Sequence, residues 1–375
     1  MSANSMYGLK QAPRAWFTRF TTFLSQLGFK SSKSDSSLFI RKSSQGILVL
    51  LLYVDDIVLT GSDPNMSLFI NELSKQFAMT DLGDLHYFLG MEITRNETAL
   101  HLSQTKYTID ILNKLDLINA KPVSTPSSSG GKLSMYDGVL FTDVTLYRSL
   151  VGALQYLTLT RPDITYSVNQ VSQFMHSPTD IHFLAVKRIL RYLKGTLGRG
   201  LHFPVESSCQ IRAFSDADWA GNPDTRRSIS GSCVFLGNHL ISWSSKKQPT
   251  VSRSSTEAEY RALALAAAEV TWIQYLLRDL SVATIQAPII YCDNVSATYM
   301  ALNPITHSRT KHVQIDYHFV RERVARKLLK IVYISTRHQL ADFFTKGQVA
   351  AKHTDLSHKL SLRDSPKLGL RGDDN

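Results

Sequence analysis

Four acidic residues, Asp216, Glu259, Asp293 and Asp342, fall where predicted strands and helices begin or end in the last third of the chain. Asp216 and Asp293 each follow an apolar strand run, IRAFS and PIIYC, where a solvated acid is not expected. Buried carboxylates require cations or hydrogen bonds. A cluster of this kind fits two-metal phosphodiester chemistry, and carboxylates without cysteines suit Mg²⁺. Scattered surface acids are the other interpretation.

A second acidic feature is the pair Asp55 and Asp56, which directly follows the apolar run ILVLLLYV and precedes IVLTGSD. This order predicts a strand hairpin with two adjacent acids at its tip. A charged turn is the alternative, since aspartate side chains hydrogen-bond to local backbone. Such a turn favours Gly or Asn beside the acid, whereas Tyr53 and Val54 precede this one.

The elements that must position these acids follow from hydrophobic periodicity. Strand and helix signals alternate up to residue 120, and the segment 121–131, KPVSTPSSSGG, predicts a flexible loop or linker. Helical signals with basic residues dominate 147–197; these basic residues are either solvated or in contact with phosphate. From residue 210 the order βββαβααβα predicts a mixed sheet with helices on its faces. The polar tail after Gly347 is predicted to be disordered.

Length, charge and cysteine content limit the class of protein to which the chain can belong. The chain has 375 residues, more than the roughly 250–300 that a single core holds, so at least two domains are expected. Its net charge of +11 favours nucleic acid as a partner, with an acidic membrane surface second. No apolar run approaches the roughly 20 residues that span a bilayer, so a soluble protein is expected. The three cysteines lack metal or CxxC spacing, so no disulfide partner is expected, and a reducing compartment, cytoplasmic or nuclear, fits.

A series of short strings covers nearly the whole chain in a fixed order. They are YGLKQAPRAWF, YVDD, MTDLGDLHYFLGMEI, LSQTKY, GALQYLTLTRPD, RYLKGT, SDADWAG, TRRSISG, ISWSSKKQPTVSRSSTEAEYRAL, CDN and TKHVQIDYHFVRE. Together they closely resemble the C-terminal part of copia-type retrotransposon Pol polyproteins of the plant type. This resemblance implies a multi-domain α+β or α/β protein with four segments. They are a partial reverse transcriptase palm (1–126), a helical thumb or connection segment (127–207), a ribonuclease H-like mixed β-sheet with helices on its faces (208–347) and a polar tail (348–375).

The resemblance also assigns roles to residues by motif. The carboxylates of the YVDD hairpin, Asp55 and Asp56, match the polymerase metal ligands, with Tyr53 and Gln11 near the nucleic acid. The ribonuclease H catalytic and metal-binding set is matched by Asp216, Glu259, Asp293 and Asp342, with Mg²⁺ or Mn²⁺ as the cofactor. Asp342 rests on the shortest match.

Further contacts are assigned more loosely. Lys246, Lys247 and Arg253 are candidate phosphate contacts on an RNA–DNA hybrid. His338 is a candidate to assist product release, as a loop histidine does in related enzymes. A solvated surface group is the alternative interpretation of each of these four side chains.

One departure from the family pattern bears on activity. The family's reverse transcriptases hold their metals with a third acid from a strand upstream of YGLKQAP, and this chain starts almost at that motif. We therefore expect polymerase activity to be lost through truncation. The ribonuclease H part is complete by motif and is expected to cleave the RNA strand of RNA–DNA hybrids with Mg²⁺. The alternative is a non-catalytic nucleic-acid-binding or unstable product of a degenerate element.

Overall fold

The predicted mixture of helices and strands is present throughout the computed structural model, which describes residues 12–54, 56–205, 208–284, 286–303 and 314–365. The helices are α1 (Ala12–Gln26), α2 (Met66–Gln76), α3 (Thr105–Lys114), α4 (Val144–Leu157), α5 (Thr165–Ser172), α6 (Asp180–Lys194), α7 (Ser255–Asp279), α8 (Val295–Leu302), α9 (Gln314–Ala325) and α10 (Ala350–Lys359). The strands are β1 (Lys30–Ser31), β2 (Leu38–Lys42), β3 (Ile47–Tyr53), β4 (Asp56–Gly61), β5 (Tyr87–Phe88), β6 (Met91–Arg95), β7 (Ala99–Ser103), β8 (Arg199–Pro204), β9 (Ile211–Asp218), β10 (Ile229–Leu236), β11 (His239–Lys247), β12 (Ile289–Cys292), β13 (Lys330–Tyr333) and β14 (Leu362–Asp364). Short 3₁₀ helices cover Pro162–Ile164, Thr336–His338 and Leu340–Phe344.

The predicted acidic hairpin is formed by β3 and β4 in an antiparallel sheet of order β1-β2-β3-β4. Burial alternates along β3, because successive side chains of a strand point to opposite faces. Leu48, Leu50 and Leu52 are the buried set, and they pack in one cluster with Phe20 of α1 and Phe69 of α2. The apolar run is therefore a half-buried strand whose inner face two helices cover.

The middle of the chain is helical, as the sequence predicts. Its core combines buried residues of α3, α4, α5 and α6, among them Leu112, Leu150, Leu154, Val168 and Leu190. The helix α6 begins with a capping box, in which the Thr179 hydroxyl accepts from the His182 amide and the His182 ring contacts the Thr179 amide. The predicted flexible segment 121–131 runs along this core: Arg188 Nη2 donates to Thr125 Oγ1 at 2.9 Å, and Arg191 Nε donates to the Lys121 carbonyl at 2.7 Å. The segment contains no helix or strand, as a loop would, and cationic side chains of α6 hold its backbone and its threonine.

The predicted mixed sheet has the order β11-β10-β9-β12-β13. The first three strands pair antiparallel, whereas β12 pairs parallel with both β9 and β13. The α7 residues Ala258 and Ala262 are buried in a cluster with Ala217 of β9. The mixed sheet that the sequence predicts is therefore present, with a long helix against its central strand.

A second five-stranded sheet, of order β14-β8-β7-β6-β5, joins segments far apart in sequence. Disorder after Gly347 was the expectation, and it is wrong for residues 350–364, which form α10 and β14. Leu356, Leu360 and Leu362 are buried in one cluster with Phe343 and Phe344. Leu356 and Leu360 have helical spacing, but two leucines among polar residues give only a weak periodic signal.

The described chain divides into two compact units. The first contains the described residues up to Leu85 together with Trp272–Ala283, and the second contains His86–Thr271 and the described residues from Thr284 onward. The boundaries at residues 126, 207 and 347 stay predictions. Within the described ranges, no helix combines the length and the apolar character that crossing a membrane requires.

Candidate active site

Two of the predicted acids come together because their strands are parallel neighbours. Ser215 of β9 is in register with Cys292, the last residue of β12. The next residue on each strand is an acid, Asp216 and Asp293, and parallel strands carry equivalent residues past the same edge of a sheet. The strand register alone therefore places these two carboxylates side by side.

Glu259 reaches the same edge from α7. The small side chains of Ala258 and Ala262 let the helix approach Ala217, the residue directly after Asp216. As a result, one carboxylate oxygen from each of Asp216, Glu259 and Asp293 lies within 4.8 Å of the other two. We call these three residues the acid cluster. The predicted juxtaposition of these acids is thus present in the geometry.

The acid cluster is electrostatically unfavourable without a cation. Burial, and then the negative charges of Asp216 and Asp293, raise the pKa of Glu259 to about 9. Burial, followed by the charges of Asp342 and Asp293, raises the pKa of Asp216 to about 6, against the opposing effect of Lys346. Glu259 is 7% exposed, and within the described part of the chain its Oε2 accepts no hydrogen bond.

Polar side chains near Asp342 in the sequence orient the acid cluster, and the sequence analysis missed them. Thr336 Oγ1 donates to Asp293 Oδ2 at 2.8 Å, and Gln339 Nε2 donates to Asp293 Oδ1 at 3.3 Å. The same Gln339 amide donates to the Ser215 carbonyl at 2.9 Å, and the Thr345 hydroxyl donates to Asp216 Oδ2. The signal available was the density of threonine and glutamine in TRHQLADFFT, which a search restricted to acids passes over.

Asp342 is buried but stands apart from the acid cluster. Lys346 Nζ lies 2.6 Å from Asp342 Oδ1, and Lys352 Nζ lies 2.7 Å from Asp342 Oδ2, so each carboxylate oxygen has an ammonium partner. Lys346 Nζ also lies 3.7 Å from Asp216 Oδ2. The role of Asp342 as a fourth metal ligand stays a prediction, because the Lys346 ammonium lies between Asp342 and Asp216.

A glycine permits the approach of the 3₁₀ helix that carries Asp342. Gly231 of β10 is in register with Asp216. A Cβ at Gly231 would lie 2.7 Å from Thr345 Cγ2 and 2.9 Å from the Ala341 carbonyl oxygen. Any larger residue would therefore push this helix, and with it the Thr345 hydroxyl, away from Asp216.

The acid cluster fits a divalent cation on the chemistry of its donors. Mg²⁺ and Mn²⁺ select carboxylate oxygens, and the cluster supplies three of them. The Glu259 oxygen that lacks a partner is buried, and a buried acceptor without a hydrogen bond is costly unless a cation meets it. Asp216, Glu259 and Asp293 are thus the residues that would hold the ion.

Comparisons with known proteins agree with these features. A family model described as reverse transcriptase (RNA-dependent DNA polymerase) matches residues 2–129. The retrovirus-related Pol polyprotein from transposon RE1 of Arabidopsis thaliana is 49% identical over 363 residues, which are 96% of this chain and 25% of that protein. A transposon Ty5-1 protein of Saccharomyces cerevisiae is 32% identical over 259 residues, which are 68% of this chain and 84% of that protein. The chain belongs to the copia-type retrotransposon Pol family.

This copia-type chain spans 25% of the length of each of two Arabidopsis Pol polyproteins that it matches, those from transposons RE1 and RE2. Among solved structures, LC11-RNase H1 isolated from compost is 18% identical, with a TM-score of 0.29 over 36% of this chain and 93% of that one. The family is one of nucleic-acid enzymes.

At the acidic hairpin of this copia-type chain, Tyr53 and Asp56 are paired in register at the ends of β3 and β4. Both residues are exposed, and Val54 between them has a φ of +52°, which a tight two-residue turn requires. Asp55 and Gln11 lie outside the described residues. The roles predicted for the hairpin stay predictions.

The predicted phosphate contacts lie near the acid cluster along the sheet. Lys246 and Lys247 of β11 pair with Ser230 and Ile229 of β10, which in turn pair with the two residues that follow Asp216. They are therefore two strands away from β9, roughly 10 Å at the usual strand spacing. Arg253 is exposed just before α7, and His338 is exposed in the 3₁₀ turn that also carries Thr336.

We expect the copia-type chain without metal to lose stability as the pH rises. An acid whose pKa is higher in the folded than in the unfolded state stabilises the fold fully at pH values below its unfolded pKa. This stabilisation is lost as the pH rises through its folded pKa. The window runs from 3.8 to about 6 for Asp216 and from 4.5 to about 9 for Glu259. Thermal unfolding in EDTA over this range measures the effect, and saturating Mg²⁺ should flatten the profile. A metal-free profile that is already flat would contradict the expectation.

Proposed function

We propose that the ribonuclease H-like part of this chain cleaves the RNA strand of RNA–DNA hybrids in the presence of Mg²⁺ or Mn²⁺. The observation that carries the proposal is the acid cluster, in which three carboxylates from three different elements lie within 4.8 Å of one another at one sheet edge. Such convergence of buried like charges costs stability, and it is expected where a divalent cation and a phosphate are to be bound.

The chain's own residues act by holding fixed positions. Asp216, Glu259 and Asp293 would hold the cation, which when bound supplies positive charge to the scissile phosphate. Thr336 and Gln339 fix the carboxylate of Asp293, and Thr345 fixes that of Asp216. Because these groups are already oriented, they need no reorganisation when charge develops during cleavage.

Substrate binding is proposed to use the positive charge of the chain. The net charge of +11 provides attraction to any polyanion, and Lys246 and Lys247 lie level with the strand residues after Asp216. Phosphate contacts position a duplex, whereas 2′-hydroxyl contacts across a wide minor groove distinguish RNA from DNA. We assign Lys246, Lys247 and Arg253 to phosphate contacts that position the duplex.

We also propose that residues 1–126 correspond to palm, 127–207 to thumb or connection, and 208–347 to ribonuclease H. Loss of polymerase activity in this chain stays a prediction, which primer extension on a primed RNA template would test.

The proposed cleavage is tested with the full 375-residue chain, a labelled RNA–DNA hybrid and Mg²⁺. Cleavage of the RNA strand is expected, with no cleavage of duplex DNA of the same sequence. Asp293→Asn, which keeps the shape of the side chain, should abolish it, whereas Asp355→Asn, an exposed residue of α10 paired with Lys359, should not. Hybrid binding without cleavage would instead support the non-catalytic alternative.

A further inference from the structure

Two lysines share the buried carboxylate of Asp342. Asp342 is 1% exposed, with Lys346 on Oδ1 at 2.6 Å and Lys352 on Oδ2 at 2.7 Å. A single ammonium is sufficient to neutralise a buried carboxylate. The second lysine is therefore available for a different task, and the geometry indicates which of the two it is.

Lys346 is the one that also contacts the acid cluster. Its Nζ lies 3.7 Å from Asp216 Oδ2 and 2.6 Å from Asp342 Oδ1, so a single positive charge bridges the two acids. Paired divalent ions in phosphodiester-cleaving sites are typically about 3.5–4 Å apart and share a carboxylate. A second ion shared between Asp216 and Asp342 would thus have to take the place of the Lys346 ammonium.

Lys346 combines a closely packed backbone with a partly exposed side chain. Thr345 is held by its hydrogen bond to Asp216, and a Cβ at Gly347 would lie 2.4 Å from the Ser128 carbonyl oxygen. The Lys346 side chain is nevertheless 43% exposed. Its four-carbon stem therefore lets the ammonium turn outward without any change in the backbone.

We propose that Lys346 is a built-in competitor for the second divalent cation, so that this chain binds one ion tightly at the acid cluster and a second only by displacing the Lys346 ammonium. This inference rests on the proposed function, because it takes the acid cluster to be a cation site. When Lys346 leaves, Asp342 keeps Lys352 and Asp216 keeps the hydrogen bond from the Thr345 hydroxyl, so neither buried carboxylate loses every polar partner. The exchange is therefore possible at low cost to the fold, while its charge penalty weakens the second site.

Mn²⁺ binding to the full chain, followed by electron paramagnetic resonance of the free ion, tests this directly and needs no cleavage. The wild-type chain should show one tight and one weak site. Lys346→Met should lower the second dissociation constant at least tenfold and change the first by less. Lys346→Arg, which keeps the charge, should behave like the wild type, as should Lys359→Met, which removes an exposed lysine paired with Asp355.

The possible results separate the two proposals. Two equally tight sites in the wild type, or a second constant that Lys346→Met leaves unchanged, would overturn the role of Lys346 while leaving the acid cluster as a cation site. Failure of Mn²⁺ to bind at all, or binding unaffected by Asp216→Asn, would overturn the proposed function itself. If Lys346→Met loses its near-ultraviolet circular dichroism, Lys346→Gln provides the same comparison with a polar tip.

Discussion

Replacing Asp216 with asparagine is expected to have two opposite effects, a large loss of cleavage and a gain in stability without metal. The carboxylate is 3% exposed, and burial and neighbouring acids raise its pKa to about 6. Asparagine has nearly the same shape but no charge, so the repulsion from Asp342 and Asp293 disappears. Cleavage should fall by about 100- to 1,000-fold, the range seen when one fixed stabilising group of an active site is removed.

The pair of measurements distinguishes a functional from a structural role for Asp216. Thermal unfolding in EDTA near neutral pH should show the variant to be more stable than the wild type, since the charged form of Asp216 is disfavoured above about pH 6. Single-turnover cleavage of the hybrid with Mg²⁺ should show the loss of activity. Asp355→Asn serves as the matched control and should change neither quantity. A variant that is less stable without metal would show that Asp216 is a structural acid.

Local sequence pattern was sufficient to predict the strands and the helix that carry the acid cluster. The apolar runs before Asp216 and Asp293 identified β9 and β12, and the structure pairs these strands in parallel with Ser215 in register with Cys292. The alanine-rich stretch around Glu259 predicted α7 in the same way. In each case the signal lies within a few residues of the acid itself, which is why sequence alone located these three side chains.

Contacts between distant segments could not be predicted from local sequence pattern. The strand β8 pairs with β7, about a hundred residues earlier, and β14 pairs with β8 from the far end of the chain. Pairings of this kind depend on which edges remain free after the other elements have packed. The two lysines on Asp342 were missed for a related reason, since a lysine in a polar stretch is normally solvated.

Because of this long-range packing, a shortened piece of the chain would lose contacts near Asp342. A piece limited to residues 208–347 would lack α10, whose Leu356 is buried in one cluster with Phe343 and Phe344. It would also lack Lys352, one of the two partners of Asp342. The experiments above therefore use the full chain, which keeps both contacts.

The second large effect is expected on stability, at a buried network between α4 and α6. Arg161 donates to both carboxylate oxygens of Asp163, at 2.9 and 2.8 Å, and the Tyr192 hydroxyl donates to Asp163 at 2.5 Å. The side chains of Arg161 and Asp163 are 2% and 0% exposed. Arg161 also donates to the carbonyl and the hydroxyl of Thr196, so the network ties the turn after α4 to the end of α6.

Asp163→Ala should therefore destabilise the chain by about 3–5 kcal/mol, because it leaves the guanidinium of Arg161 buried without its counter-charge. Urea unfolding measures this loss, and Asp355→Ala at an exposed pair should stay within about 0.5 kcal/mol of the wild type. Replacing both partners, as in Arg161→Met with Asp163→Leu, should recover most of the loss, since no unpaired charge remains. A double variant as unstable as Asp163→Ala would indicate that lost packing, and not the orphaned arginine, is the cause.

The pH dependence of this network has the opposite sign to that of the acid cluster. Burial acts to raise the pKa of Asp163, but the charge and hydrogen bonds of Arg161 and the hydrogen bond of Tyr192 outweigh it and lower the pKa to about 2. The contribution of Asp163 is thus fully present above its unfolded value of 3.8 and is lost as the pH falls through about 2. In Asp163→Ala this acid-sensitive part should be missing, whereas the loss of stability with rising pH at Asp216 and Glu259 should remain. The stability contributions of these two buried sites therefore change with pH in opposite directions. Asp163 is paired with a buried cation, whereas Asp216 and Glu259 lie among like charges.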